Sequence, residues 1–142
     1  MTVAHILSSK GGDIVTIAPS QTVAGAVALL NERRIGAVLV CEGDQVHGIL
    51  SERDVVRGLS QCGAACLDEP VSSLMTADVA TCTPHQSITD VMGLMTDRRI
   101  RHLPVVDKGR LIGLVSIGDV VKRRIAEAQQ EADDLRAYIA TG

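Results

Sequence analysis

The stretch ADVATCTPHQSITDVMGLMTDRRIRHLPVVDKGRLIGLVSIGDVV, residues 77–121, repeats GDIVTIAPSQTVAGAVALLNERRIGAVLVCEGDQVHGILSERDVV, residues 12–56, at a constant offset of 65 positions and without a gap. Asp13, Thr16, Pro19 and Gln21 recur as Asp78, Thr81, Pro84 and Gln86, and the run Arg33-Arg34-Ile35 recurs as Arg98-Arg99-Ile100. Gly48, Ser51, Asp54, Val55 and Val56 recur as Gly113, Ser116, Asp119, Val120 and Val121. A register kept through loops as well as through regular elements marks an internal duplication, so both halves adopt one fold.

Each copy reads as the same series of elements. Short β-rich runs, 14–17 and 79–82, end at Pro19 and Pro84, because proline removes a ladder donor and closes a strand. Val23, Ala26, Val27 and Leu30, matched by Ile88, Val91, Met92 and Met95, follow at helical spacing and mark one buried helix face. Thr22 caps the first of these helices, and Ser87 with Asp90 forms a capping pair on the second. Two strands around an acidic turn come next, 37–41 and 46–50 around Glu42-Gly43-Asp44, then 102–106 and 111–115 around Asp107-Lys108-Gly109. A helix closes each copy: the first from Ser51 to about Leu59 ahead of a linker over 60–69, the second from Ser116 with no breaker before Thr141. Val3, Ala4, Ile6 and Leu7 predict a small helix before the first copy, as Val71 to Met75 do before the second, with Gly11-Gly12 and Thr76-Ala77 as hinges.

The expected fold class is therefore α/β (α+β): two β-α-β-β-α repeats packed sheet to sheet with pseudo-twofold symmetry, plus a long C-terminal helix. The expected divisions are a first repeat with its N-terminal helix over 1–66, a second repeat over 67–125 and a helical extension over 126–142, together one module. Neither repeat is stable alone at ~60 residues with one sheet face exposed.

Composition narrows the function. The core is built from Val, Ile, Leu, Ala and Met, since Phe and Trp are absent and the single aromatic is Tyr138. A net charge of −3 and a pI near 5.7 supply no global attraction for nucleic acid or anionic membrane. No apolar run approaches the ~18 residues of a membrane span, and the polar start (Ser8, Ser9, Lys10, Asp13) lacks a signal-peptide core, which gives a cytoplasmic reading. Cys41, Cys62, Cys66 and Cys82 are too few and too unevenly spaced for a disulfide scaffold. Cys62 and Cys66 have no matching Cys or His pair and read as linker residues, so no metal site is expected. His5, His47 and His85 read as isolated from carboxylates and thiols at metal spacing. Arg33-Arg34 and Arg98-Arg99 read as helix C-termini, where cations suit the dipole, and not as a nucleic-acid face.

The chemistry concentrates at Gly48-Ile-Leu-Ser51-Glu-Arg-Asp54 and Gly113-Leu-Val-Ser116-Ile-Gly-Asp119, both of the form Gly-apolar-apolar-Ser-x-x-Asp at a strand-to-helix junction. Ser-x-x-Asp is close to a capping box, which by itself accounts for Ser and Asp. It leaves the glycine unexplained, since glycine permits a close backbone approach. The same residues suit a nucleoside: a carboxylate accepts two hydrogen bonds from a ribose diol, and a helix N-terminus with a serine hydroxyl offers donors to a phosphate.

On these residues the chain resembles the CBS domain family, named after the regulatory region of cystathionine β-synthase, as a tandem pair or Bateman module of the stand-alone bacterial type. The resemblance rests on the Thr16-x-x-Pro19 and Thr81-x-x-Pro84 openings, the run from Arg99 to Asp107 and the two Gly-x-x-Ser-x-x-Asp junctions, and it covers nearly the whole chain. It implies clefts between the repeats that bind AMP, ADP, ATP, NAD or S-adenosylmethionine as regulatory ligand. By position it gives Asp54 and Asp119 to ribose, Ser51 and Ser116 to phosphate, and Thr16, Ile17, Val38, Thr81, Cys82, Leu103 and Pro104 to the adenine enclosure. Leu39 departs from the family proline kept at Pro104. The copies differ where Gly36-Ala37 faces Arg101-His102, and where Arg53 precedes Asp54 but Gly118 precedes Asp119. Two unequal sites are expected, with a phosphate clamp of Arg101, His102 and Arg53.

Three function classes follow. A sensor binds an adenine nucleotide and passes its occupancy to an unidentified effector or to its own homodimer. An assembly module with vestigial clefts shows no ligand response. An enzyme requires a nucleophile or base with an orienting partner, and no Ser-His-Asp, Cys-His or carboxylate pair is placed together by the sequence. The sensor is the expected function, without catalysis.

Overall fold

The structure is a computed structural model and describes residues 1–11 and 14–141. The hinge residue Gly12 and Asp13, counterpart of Asp78, lie outside the described residues. The elements run α1 (Val3–Lys10), β1 (Thr16–Ile17), α2 (Val23–Arg33), β2 (Ala37–Glu42), β3 (Gln45–Ser51), α3 (Glu52–Cys62), a 3-10 helix (Gly63–Asp68), α4 (Val71–Leu74), α5 (Ile88–Arg98), β4 (His102–Asp107), β5 (Arg110–Ser116) and α6 (Ile117–Thr141). This is a mixed α/β chain with two small sheets and a long C-terminal helix, as expected from the sequence.

The chain divides into two compact units that cut across the sequence repeats. One unit holds Asp13–Ala80 and Lys108–Ile112; the other holds Met1–Gly12, Thr81–Asp107 and Gly113–Gly142. Helix α1, grouped by sequence with the first repeat, thus packs with the second, and the short α4 packs with the first. Backbone hydrogen bonds show why. Val3 and Ala4 donate to the Gln86 and Pro84 carbonyls at 3.0 Å each, whereas Val71 and Ser72 donate to Gln21 and Pro19 at 2.7 and 3.2 Å.

In the first-repeat unit β1 pairs parallel with β2, and β2 pairs antiparallel with β3, with an irregularity between Val40 and Cys41. The apolar face of α2 (Val23, Ala26, Leu30) covers Val38, Val40 and Leu50 of the sheet, with Val55 and Val71 completing a buried cluster. Thr22 caps α2 by accepting from the Gly25 amide at 3.1 Å. Arg34 and Arg99 end α2 and α5 in the left-handed conformation with φ of 55°, and Arg33 and Arg98 occupy the last helical turns, consistent with the helix-terminal reading.

The second-repeat unit buries Val3 and Ile6 of α1, Ile88, Val91 and Met95 of α5, Leu103 and Val105 of β4, Val115 of β5 and Val120 of α6. Both α1 and α5 pack on α6. The expected strand over 79–82 is reduced to one parallel bridge between Cys82 and Val105. The linker over 60–69 is also more regular than expected, since α3 runs to Cys62 and a 3-10 helix follows, burying Cys66. In the hairpins, Gly43 and the pair Lys108-Gly109 take positive φ, as two-residue turns require. His47 lies 3.2 Å from the Glu42 carboxylate across the β2–β3 hairpin, a single pair that makes no metal-ligand set.

Candidate ligand site at the serine–aspartate junctions

Strand β3 passes directly into α3, and Ser51 at that junction is the helix N-cap. Its hydroxyl accepts from the Asp54 amide at 3.3 Å, while the Ser51 amide and hydroxyl donate to Asp54 Oδ2 at 2.9 and 3.1 Å. The second carboxylate oxygen is engaged as well: Thr76 Oγ1 and Arg57 donate to Asp54 Oδ1 at 3.3 and 3.4 Å. The Asp54 side chain is only 4% exposed. A buried carboxylate with both oxygens accepting is a satisfied structural group. The glycine three positions before Ser51 is explained by packing: a Cβ at Gly48 would stand 2.7 Å from the Thr76 carbonyl oxygen. That close approach lets residue 76 pair with β3, where Ile49 and Thr76 exchange hydrogen bonds of 2.9 and 3.0 Å.

The matching junction, β5 into α6, repeats the cap but not the closure. The Ser116 amide donates to Asp119 Oδ2 at 2.9 Å, and the Asp119 amide donates to Ser116 Oγ at 3.2 Å. In place of a threonine, Lys10 at the end of α1 donates from Nζ to the same Oδ2 at 2.8 Å and to the Leu114 carbonyl at 2.9 Å. Among the described residues no group donates to Asp119 Oδ1, and the side chain is 26% exposed. Burial works against the charged carboxylate. The hydrogen bond from Lys10, those from Ser116 and the Lys10 charge outweigh it and hold the Asp119 carboxyl below the ordinary carboxylate range.

Asp119 opens into a cavity of about 300 Å³ between α1 and α6, lined by Ile6, Ser9, Lys10, Asp119, Lys122, Arg123 and Ala126. With one carboxylate against Lys10, Lys122 and Arg123, the lining is net cationic and suits an anionic group. Arg123 is held in place by donating to the His5 carbonyl at 3.0 Å and to Ser9 Oγ. The first-repeat unit has a cavity of about 260 Å³ beside Asp54, whose charged lining is Arg57 opposite Asp54 and Glu69. The two junctions are thus unequal, as the sequence differences suggest, but different residues make the difference.

The other sequence-predicted residues divide between the units. In the second-repeat unit the Cys82 amide donates to the Pro104 carbonyl at 3.0 Å, which sets Cys82 against Pro104 beside buried Leu103; Thr81 is exposed. Burial pushes the Cys82 thiol up to about 11, so it stays protonated and inert. The Arg101 carbonyl accepts from the Ile117 amide at 2.8 Å, pinning Arg101 and His102 at the start of α6. Neither lines the cavity at Asp119. In the first-repeat unit Thr16 and Ile17 pair with Leu39 and Val40, and Val38 is part of the core cluster. Arg53 faces a shallow groove along α3 with Glu52, Val56 and Arg57. Lys10, Lys122 and Arg123 were not singled out from sequence. One signal exists for Lys10: carrying the offset of the repeats upstream sets it against Met75, so the copies differ in charge just where the entry helix meets the junction. Among the described residues no cluster of three or more His, Cys, Asp or Glu is arranged to hold a metal ion.

Comparison with known proteins agrees with this reading of the fold. The model of the CBS domain matches residues 3–61 and again residues 71–126. The chain is 36% identical over 150 residues to the mitochondrial CBS domain-containing protein CBSX3 of Arabidopsis thaliana, covering 99% of this chain and 73% of that protein. It is similar to a solved putative signal-transduction protein with CBS domains from Burkholderia ambifaria, at 45% identity and a TM-score of 0.84, over 89% of this chain and 95% of that one. Two further structures share the fold at lower identity. One is a CBS domain protein from Pyrobaculum aerophilum complexed with AMP, at 24% identity and a TM-score of 0.75 over 84% and 89% of the chains. The other is the CBS domain pair of protein MJ0100 with 5-methylthioadenosine and S-adenosyl-L-methionine, at 21% identity and 0.79 over 89% and 98%. With both repeats matched and relatives aligned along nearly its full length, the chain belongs to the CBS domain family, as a tandem pair.

Proposed function

We propose that this CBS pair is a regulatory module that binds a phosphorylated adenosine, of the AMP, ADP, ATP or NAD class, at the Asp119 junction, and that it has no catalytic role. The observation that carries the reading is the open Oδ1 of Asp119 beside a cavity lined by Lys10, Lys122 and Arg123, where Asp54 has both oxygens engaged. In this reading Asp119 accepts from the ribose diol, Ser116 and the three cations meet phosphate, and Thr81, Cys82, Leu103 and Pro104 border the base. Arg101 and His102, pinned beside Ser116, serve the outer phosphates. The equivalent set around Asp54, with Ser51, Arg53, Thr16, Ile17 and Val38, is the weaker site. The cationic lining favours phosphate over the sulfonium of S-adenosylmethionine. Support for an adenosine ligand comes from the fold-mates bound to AMP and to S-adenosylmethionine.

The signal follows from Lys10. It joins α1 to α6 through Asp119, so a ligand that takes over either partner changes how firmly α1 docks. That is the differential affinity a population shift needs. The output goes to an effector protein or to a homodimer of this chain, in the cytoplasm, where the four cysteines stay free thiols. Among the described residues no helix is long and apolar enough to cross a membrane.

A thermal-unfolding panel on nucleotide-stripped protein tests the reading. A bound ligand at one hundred times its Kd raises the midpoint by roughly 5–10 °C. The expected result is such a rise with AMP, ADP, ATP or NAD and a smaller one with S-adenosylmethionine. A flat response to all of them leaves an assembly module.

A further inference from the structure

Helix α6 carries apolar residues at Val121, Ile125, Ala128, Ala132, Leu135 and Ile139, spaced alternately four and three residues apart. A three-four alternation keeps one stripe on one side of a helix and is the seam of a two-stranded coiled coil. Within this chain the large side chains of the stripe are uncovered, Val121 being 41% exposed, Ile125 64%, Leu135 59% and Ile139 68%, while Ala132 between them is half-buried. Beyond Glu127 the described residues make hydrogen bonds and ion pairs only along the helix itself, such as Gln129 to Asp133 and Gln130 to Asp134. A helical segment of that length is marginal alone in water, where isolated helices need more than about 12–15 residues.

We propose that α6 pairs in parallel, in register, with α6 of a second copy of this chain through this stripe. The proposal rests on the homodimer named above as one of two outputs, and gives it a location. A repeating stripe of this kind is self-complementary, so a second copy fits it without any new surface. Charge decides the direction. Glu131 precedes the seam residue Ala132, and Arg136 follows the seam residue Leu135, and both side chains are exposed. In a parallel pair these positions, five apart, face each other across the seam with opposite charge. An antiparallel pair centred on the same stripe would bring Glu131 against Glu131 and Lys122 against Arg136, both repulsive.

Sedimentation equilibrium on the full chain tests the pairing. The wild type is expected to be a dimer with a thermal midpoint that rises with protein concentration, and the double variant Ile125→Asp with Leu135→Asp should weaken dimerisation by about tenfold or more and lose that concentration dependence. Its far-UV circular dichroism should keep the signal of the folded units and lose at most that of the segment beyond Glu127, because both residues are exposed within one chain. Glu131→Lys alone should weaken the dimer, and adding Arg136→Glu should restore it. Direction is read by oxidative cross-linking in a Cys62→Ser background. A parallel pair links Leu135→Cys to itself, whereas an antiparallel pair links Leu135→Cys only when mixed with Ile125→Cys, and that second pattern would overturn the parallel register. A monomeric wild type would overturn both the homodimer and this seam. A dimer indifferent to the double variant would overturn the seam alone and place the contact elsewhere, for example on exposed Val56 and Leu59 of α3.

Discussion

Asp54 and Asp119 occupy the same position in a duplicated motif and yet do different physical work. Asp54 holds four donors inside the first-repeat unit, two from Ser51 and one each from Thr76 and Arg57. Asp54→Ala would strand the Ser51 amide and the Thr76 hydroxyl, and should cost about 1–3 kcal/mol in a urea titration. Asp119, by contrast, is held by Lys10 and Ser116 on one oxygen. Its carboxyl is depressed in the folded state, so the stabilisation is complete above the unfolded value of 3.8 and is lost as pH falls through the lower folded value. The stability gap between wild type and Asp119→Asn should therefore stay constant from about pH 8 to pH 5 and close in stronger acid, which a pH series of denaturant midpoints would show. At this scale the sequence marked both carboxylates as equivalents at the two strand-to-helix junctions. It could not separate them, because the deciding partners, Thr76 and Lys10, reach their carboxylates only through tertiary packing.

At the scale of elements, the motif glycines are governed by what lies over the strands. A methyl at Gly48 meets the Thr76 carbonyl, which is backbone held by two hydrogen bonds. A methyl at Gly113 meets Leu7 Cδ2 at 2.5 Å, the far end of a side chain able to rotate away. Gly48→Ala should cost about 1–3 kcal/mol and Gly113→Ala distinctly less, measured as denaturant midpoints of the two variants. The elements themselves were largely legible: the periodicity of α2 and α5, the two hairpins and the unbroken α6 all follow from local pattern. The exceptions have local causes. Residues 79–82 carry a strand-like composition but pair with β4 at Cys82 alone, and the linker over 60–69, with Gly63 in positive φ to end α3 but no proline before Pro70, coils on as a 3-10 helix.

At the scale of the molecule, duplication explains the fold and the asymmetry between copies explains the function proposed for it. The entry helices pack on the repeat that follows the other one: α1 supplies Lys10 to Asp119, and the segment after α4 supplies Thr76 to Asp54. This exchange was not legible, since α1 and α4 each stand next to a repeat in sequence and only long-range packing decides which repeat they join. Its consequence is that one junction is closed by the chain and the other is left beside a cationic cavity.

The most direct test of that difference is calorimetric titration of AMP, ATP and NAD into nucleotide-stripped wild type, Asp119→Ala and Asp54→Ala. Saturable binding of at least one of these ligands to the wild type is expected, abolished by Asp119→Ala and retained by folded Asp54→Ala. Binding that survives Asp119→Ala, or no binding heat in the wild type, would contradict the assignment of the ligand to the Asp119 junction.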